Sequence, residues 1–338
     1  MKYSAIKPPR VSGYGLLAAL MCAAASSACS TESGSRTVPV ADAGSLDARS
    51  NADATTAFDA SDAANASGRL CAVGAPFDSI SPLEGPALPQ PGYLSRAQLS
   101  SDELTVYFDP GHKNISTTTR PSIGAPFGPV KVLDALTTAA DEEVYFPSPA
   151  KDGLSLYFEG MKELGMSGQW EDLGLFVATR PSLGDPFGAR APVVGLSADE
   201  PIVSDDGSHI YFQRYAQGDA GGDYDIYVAT GSGSAFGAPV KLAEIDSTDS
   251  EISPMPSADE LEIYFWRNFA ATGTASFMTA QRADPTQPFG APVPVGGNWK
   301  HLTPIHMSLD GCRLYLQQEE DQDPQFQPFS IVVAQRSP

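Results

Sequence analysis

Apolar and polar positions alternate along this chain in short bursts bounded by turn residues, and the bursts recur. The clearest is a turn followed by an alternating strand: SSDELTVYF ending at Phe108, AKDGLSLYF at Phe158, SDDGSHIYF at Phe212, SADELEIYF at Phe265 and SLDGCRLYL at Leu316. The marker tyrosines Tyr107, Tyr157, Tyr211, Tyr264 and Tyr315 stand 50, 54, 53 and 51 residues apart. After each comes a second run (ISTTTR, LGLFVATR, YDIYVAT, SFMTAQR, FSIVVAQR), then a third such as APFGPVKV or PFGAPVPV. A fourth run, such as EPIVS or LTPIHMS, lies upstream. Short alternating runs between turn residues predict strands. The Asp-Gly or Asp-Glu step before each marker strand suits a tight hairpin.

Four strands repeated at about this period make a β-propeller blade. A single blade cannot bury both its faces; stacking on its neighbours completes the core. The pattern therefore predicts an all-β, five-bladed propeller over residues 71–338, with a six-bladed ring or an open β-solenoid as alternatives. The chain ends favour a ring. The last repeat has three strands and stops at Pro338, and the missing PFG-type strand stands at the other end, in CAVGAPFDSISPL from Cys71. That N-terminal strand can close the last blade.

The first 70 residues break the pattern. Lys2, Lys7 and Arg10 precede the apolar run LLAALMCAAA and the small residues SSAC. This is the layout of a secretory signal over residues 1–28, too short to span a bilayer permanently. Ser26-Ser27-Ala28-Cys29 resembles a bacterial lipobox, with Ser26 where Leu is usual. The resemblance implies lipidation of Cys29 and, with Ser30 next, an outer-membrane lipoprotein facing periplasm or cell surface. Cleavage without lipidation, giving a soluble periplasmic or secreted protein, is the alternative. In residues 30–70, Ala, Ser, Asp and Thr supply 26 of 41 positions. Such a segment cannot offset its ordering entropy, so residues 29–70 read as a disordered tether.

Once Cys22 leaves with the signal and Cys29 carries lipid, Cys71 and Cys312 remain. Aligned on the repeat, both fall at the same end of the last blade, which predicts a disulfide in an oxidising compartment.

The Ser-x-Asp-Gly turn, the L-x-L-Y-F strand and the Y-V-A-T-R strand together resemble the WD40-like repeat of TolB-type bacterial propellers. That resemblance covers residues 71–338. It implies the fold and, more loosely, a binding role; the separate N-terminal domain of TolB has no counterpart here.

Composition narrows the function. The formal charge is −20, with 41 acids against 21 bases. This argues against nucleic acid and against anionic lipid, so membrane contact would come only through the anchor. The connections between second and third strands vary most, and binding sites favour variable loops on a fixed scaffold. On that face the repeat places Tyr93, Trp170, Arg214, Tyr215, Trp266, Arg267, Phe269 and Trp299, residue types that anchor contacts. The expectation is a monomeric binding module for an envelope protein, a peptide or a glycan. A purely structural envelope protein is a further alternative.

Carboxylates gather at the same mouth. An enzymatic alternative is a carbohydrate-active hydrolase using Asp141, Glu200 and Glu251 as acid and base or nucleophile. No cofactor is expected, though a divalent cation could be held by the mouth acids or by Asp219, Asp223 and Asp225. The four histidines, His112, His209, His301 and His306, form no nucleophilic motif.

Overall fold

The computed structural model describes residues 68–83, 96–165, 169–216, 223–269, 271–318 and 330–338. The lipidation site Cys29 and the aromatic Tyr93 lie outside them. The described residues form five antiparallel sheets and, apart from two short 3-10 turns, no helix.

Blade 1 has strands Gln98–Leu99, Thr105–Phe108, Ser116–Thr119 and Lys131–Val132. Blade 2 has Glu142–Pro149, Ser155–Glu163, Trp170–Thr179 and Ala191–Pro192. Blade 3 has Asp199–Val203, His209–Ala216 and Asp223–Ser232, with an outer edge split into Ala235–Phe236 and Val240–Lys241. Blade 4 has Ser250–Pro256, Glu262–Phe269, Thr274–Gln281 and Val293–Pro294. Blade 5 has Leu302–Met307, Arg313–Gln318 and Ser330–Gln335, and its fourth strand is Ser79–Pro82 from the other end of the propeller. Ser79 pairs with Gln335 and Pro82 with Val332, so the ring closes as the sequence predicts. The innermost strand of each blade packs on that of the next, all the way round.

Both faces of every marker strand are buried. The five tyrosines are at most 3% exposed, and the residues after them, Phe108, Phe158, Phe212, Phe265 and Leu316, at most 1%. This is why Tyr-Phe can stand side by side in strands whose side chains alternate between faces.

The hairpin before each marker strand needs one left-handed residue, at Glu103, Gly153, Gly207, Glu260 and Gly311 (φ 56° to 72°). Glycine takes that conformation freely, whereas glutamate is strained there. The two glutamates have a compensating use at the seams between blades. Glu103 accepts from Arg313 at 2.9 Å and from the hydroxyl of Tyr315, both in blade 5. Glu260 accepts from Tyr211 of blade 3 and from Arg282 at 3.3 Å.

A repeated arginine fastens four of the five seams. Arg120, Arg180, Arg282 and Arg336 end the third strands, and each lies over a phenylalanine of its own blade: Phe127, Phe187, Phe289 and Phe77, at 4.3 to 5.3 Å. Each Nε donates to the carbonyl of the left-handed turn residue. The guanidinium then reaches the marker tyrosine of the preceding blade: Tyr315, Tyr107, Tyr211 and Tyr264 in that order. Blade 3 carries Gly231-Ser232-Gly233 in place of the arginine, and the backbone of Gly233 serves Tyr157 there.

Cys71 and Cys312 form the predicted disulfide, with Cα atoms 5.2 Å apart. The propeller begins before Cys71. Arg69, which the sequence placed in the tether, is 3% exposed and donates to Asp259 at 3.0 Å, to Glu262 and to the Cys71 carbonyl. Glu262 is also met by Arg336 at 2.7 Å and by the Gly74 amide at 2.6 Å. Two cationic partners, after the opposing effect of burial, hold its carboxyl below the usual range.

Candidate functional site

The short turns between first and second strands, and between third and fourth, share one face of the propeller. The connections between second and third strands share the other with the approaches to each first strand. The anchors predicted for this second face divide by how far packing has already used them.

Trp299 is 5% exposed: its ring packs on Phe277 and Phe77, at 5.1 and 5.6 Å, and its Nε1 donates to Gly296 O at 2.7 Å. Trp266 is half-buried against Phe277, and its Nε1 crosses to Leu302 O of blade 5 at 3.0 Å. The area and the polar handle of both indoles are therefore directed at the seam between blades 4 and 5. Arg267 donates to Glu251 Oε1 at 2.7 Å and to Ile245 O at 2.8 Å. Phe269 and Trp170 are half-buried at strand ends bordering the second-to-third connections.

Blade 3 presents its anchors outward. Tyr215 is 39% exposed and meets Tyr224, its cross-strand partner, edge-on at 5.3 Å. On the opposite face of the same strand Arg214 lies over Tyr227 and Phe212, at 5.1 and 5.4 Å, and donates to Ser197 O at 3.1 Å. Tyr224 was missed from sequence, although the alternation of DYDIYVAT puts it in register with Tyr215. His112 and Tyr145 were also missed. They stack at 4.2 Å across the seam between blades 1 and 2 on the same face. Their pairing links a turn to the next blade, which no local signal carries.

On the axis, the first strands of blades 2 to 4 carry a bulge with a left-handed residue, Phe146, Glu200 or Ser253. Such bulges re-aim side chains. Glu200 accepts from Ser253 Oγ at 2.8 Å and from Gln213 Nε2 at 3.3 Å. It also faces Arg96 Nη1 at 3.3 Å. Arg96 is 1% exposed and donates to Pro304 O at 2.9 Å and Pro254 O at 3.3 Å, so one side chain from blade 1 joins blades 3, 4 and 5. Burial lowers its pKa to about 10, opposed by Glu200.

The other two acids of the enzymatic reading are engaged as well. Glu251 accepts from Ser247 Oγ at 2.6 Å and from Arg267 at 2.7 Å, and burial raises its pKa. Asp141 is exposed, 3.4 Å from Lys162. Of the acids weighed for a cation, Asp219 lies outside the described residues and Asp223 is half-buried. Asp225 turns inward to Lys241 Nζ at 3.0 Å, which also meets Asp246 at 2.8 Å. Burial first, then the bond from Asp246, pushes Asp225 up to about 6. Lys241 and Arg267 thus supply the positive charge among Asp225, Asp246 and Glu251.

No family model matches the chain, and no curated protein does. Solved structures that resemble it include TolB from Acinetobacter baumannii, at 16% identity over 71% of this chain and 54% of that one (TM-score 0.45). The chain spans about half the length of that TolB. The catalytic domain of an α-L-arabinofuranosidase from Coprinopsis cinerea is 14% identical over 77% of this chain and 97% of its own (TM-score 0.45). An oligogalacturonate lyase from Vibrio parahaemolyticus is 12% identical over 73% and 79% (TM-score 0.46). These likenesses carry no activity across. With its recurring repeat and its closed ring of five sheets, the chain is a five-bladed β-propeller.

Proposed function

We propose that the chain is an exported, lipid-tethered β-propeller that binds a protein, peptide or glycan partner on its long-loop face. The observation that carries this reading is the Tyr215–Tyr224 pair. It is an aromatic pair at the end of a hairpin, left outward on a face where the mouth carboxylates are paired off. Tyrosine supplies rigid area and a polar handle at contact sites. The signal-like start, the Cys29 lipobox and a disulfide of the kind that persists in oxidising compartments support placement at the outer membrane, facing periplasm or cell surface.

The test is affinity capture from solubilised envelope and from a glycan array. The unmodified chain should retain a partner, and the double variant Tyr215→Ala, Tyr224→Ala should lose it at an unchanged melting temperature. Equal capture by both proteins would remove the pair from the binding face.

A further inference from the structure

Aligned on the marker tyrosine, the innermost strands place Gln98, Ser148, Ile202, Met255 and His306 at one level of the axis. These residues, one per blade, line a cavity of about 30 Å³ that extends to Ser101 and Asp205 in the short turns. At that level blades 5, 1 and 2 supply polar groups and blades 3 and 4 supply Ile202 and Met255, while Asp205 of blade 3 joins the lining at the short-turn end.

Three of these polar atoms are not satisfied by the protein. His306 is 7% exposed and Gln98 5%, yet His306 Nε2 and Gln98 Nε2 have no hydrogen-bond partner. Asp205 Oδ2 has none either, with only the Lys151 ammonium facing it at 3.7 Å. Buried polar atoms without partners are rare in folded proteins and point to an unseen occupant. Burial lowers the pKa of His306 to about 4, so at neutral pH its ring is uncharged and one nitrogen carries a free lone pair. A half-turn of an amide exchanges its oxygen and nitrogen, so Gln98 can present either. Imidazole nitrogen and carboxylate then line one space as acceptors, joined by the Gln98 oxygen once its amide is turned, while the Ser148 hydroxyl already accepts from the Val203 amide at 3.0 Å. Acceptors turned on one another are what a cation satisfies. The space also suits an ion with a water rather than an organic ligand.

We propose that the axial cavity is a divalent-cation site of the zinc class, with His306 Nε2 and the Asp205 carboxylate as direct ligands and Gln98 and Ser148 as donors to the ion or its water. A nitrogen ligand favours zinc or nickel over calcium, which takes oxygen ligands. The rival locus is Asp206, His209 and Glu260, whose ligand atoms lie within 4.8 Å of one another. There His209 already meets Glu260 at 3.1 Å, and the equivalent seam has Arg313 on Glu103. That position is an ion-pair position in the repeat.

The full chain, purified without a histidine tag and stripped with chelator, is titrated with zinc and separately with calcium, by calorimetry and by thermal unfolding. Zinc should bind at one ion per chain and raise the melting temperature. Asp205→Asn and His306→Gln should each weaken it by roughly tenfold or more, and His209→Ala should leave it unchanged. No zinc binding by the unmodified chain overturns the proposal. So does response to calcium alone, loss in His209→Ala, or full affinity in Asp205→Asn. Asp205 sits at the rim of the cavity, so its variant keeps the test open if His306→Gln does not fold.

Discussion

The guanidinium of Arg96, carried by blade 1, lies 3.3 Å from the Glu200 carboxylate of blade 3 on the propeller axis. The arginine is wholly buried and its other donors go to carbonyls, so Glu200 is its counter-charge. Removing one partner of a buried pair leaves an uncompensated charge and costs about 3–5 kcal/mol. Glu200→Ala should lower the urea midpoint by that order, at unchanged m-value. The same variant separates the two readings of Glu200. A positioning role predicts lost stability in Glu200→Gln as well, whereas a catalytic acid would lose glycan turnover at an unchanged melting temperature.

The seams allow an internal comparison. Between blades 5 and 1, Arg313 makes two bonds of 2.9 Å to Glu103; between blades 3 and 4, His209 makes one contact of 3.1 Å to Glu260. The surrounding Tyr and Arg are equivalent. His209→Arg should therefore stabilise the second seam, by up to about 1 kcal/mol because the position is partly exposed. Thermal unfolding would show it as a small rise that shrinks in high salt. A fall would mean that the two seams are not interchangeable.

The repeat, the number of blades, the closing strand and the disulfide were all legible in sequence, because each follows from local alternation counted in register. What joins the blades was not. Arg120 and Tyr315 lie at opposite ends of the propeller domain, and nothing near Arg120 announces that partner. Arg96 precedes a first strand of only two residues, outside any repeated motif. Arg69 was hidden in a segment rich in alanine and serine. Trp266 and Trp299 show a different limit: an indole at a blade end can face a partner or pack on the rim, and composition does not distinguish them. Their packing on Phe277 is a contact that only the fold supplies.

The Cys71–Cys312 bond joins residues 241 positions apart. On the chain-entropy model, a loop of that size constrains the unfolded chain by about 5 kcal/mol. The folded closure does not depend on the bond alone, since Ser79–Pro82 stays paired to blade 5 and Arg69 stays on Asp259 and Glu262. The double variant Cys71→Ser, Cys312→Ser should thus fold, and unfold at lower urea by about 2–5 kcal/mol. Reductant should shift the unmodified chain toward the same midpoint and leave the variant where it is. A variant that is as stable as the oxidised chain would show that the bond adds nothing to the closure.

His306 and Asp205 line one cavity and titrate with opposite consequences. Asp205 has its pKa raised by burial from 3.8 to about 6, with Lys151 opposing. Between those values the folded chain holds the proton more tightly than the unfolded one, so this group's contribution falls as pH rises from about 4 to 6 and is flat above. His306 has its pKa lowered by burial from 6.5 to about 4. In its window the unfolded chain binds the proton better, so its contribution rises from about pH 4 to 6.5 and is lost as pH falls back through it. Glu103 faces His306 and favours its charged form, while Arg313 opposes it. The two slopes oppose each other almost throughout. In metal-free buffer, Asp205→Asn should remove the falling slope, so its stability relative to the unmodified chain should grow from pH 4 to 6. His306→Gln should remove the rising slope, so its relative stability should decline over the same range. Urea unfolding at half-unit pH steps reads both differences. Parallel curves for the three proteins would show that neither group is buried as the structure has it.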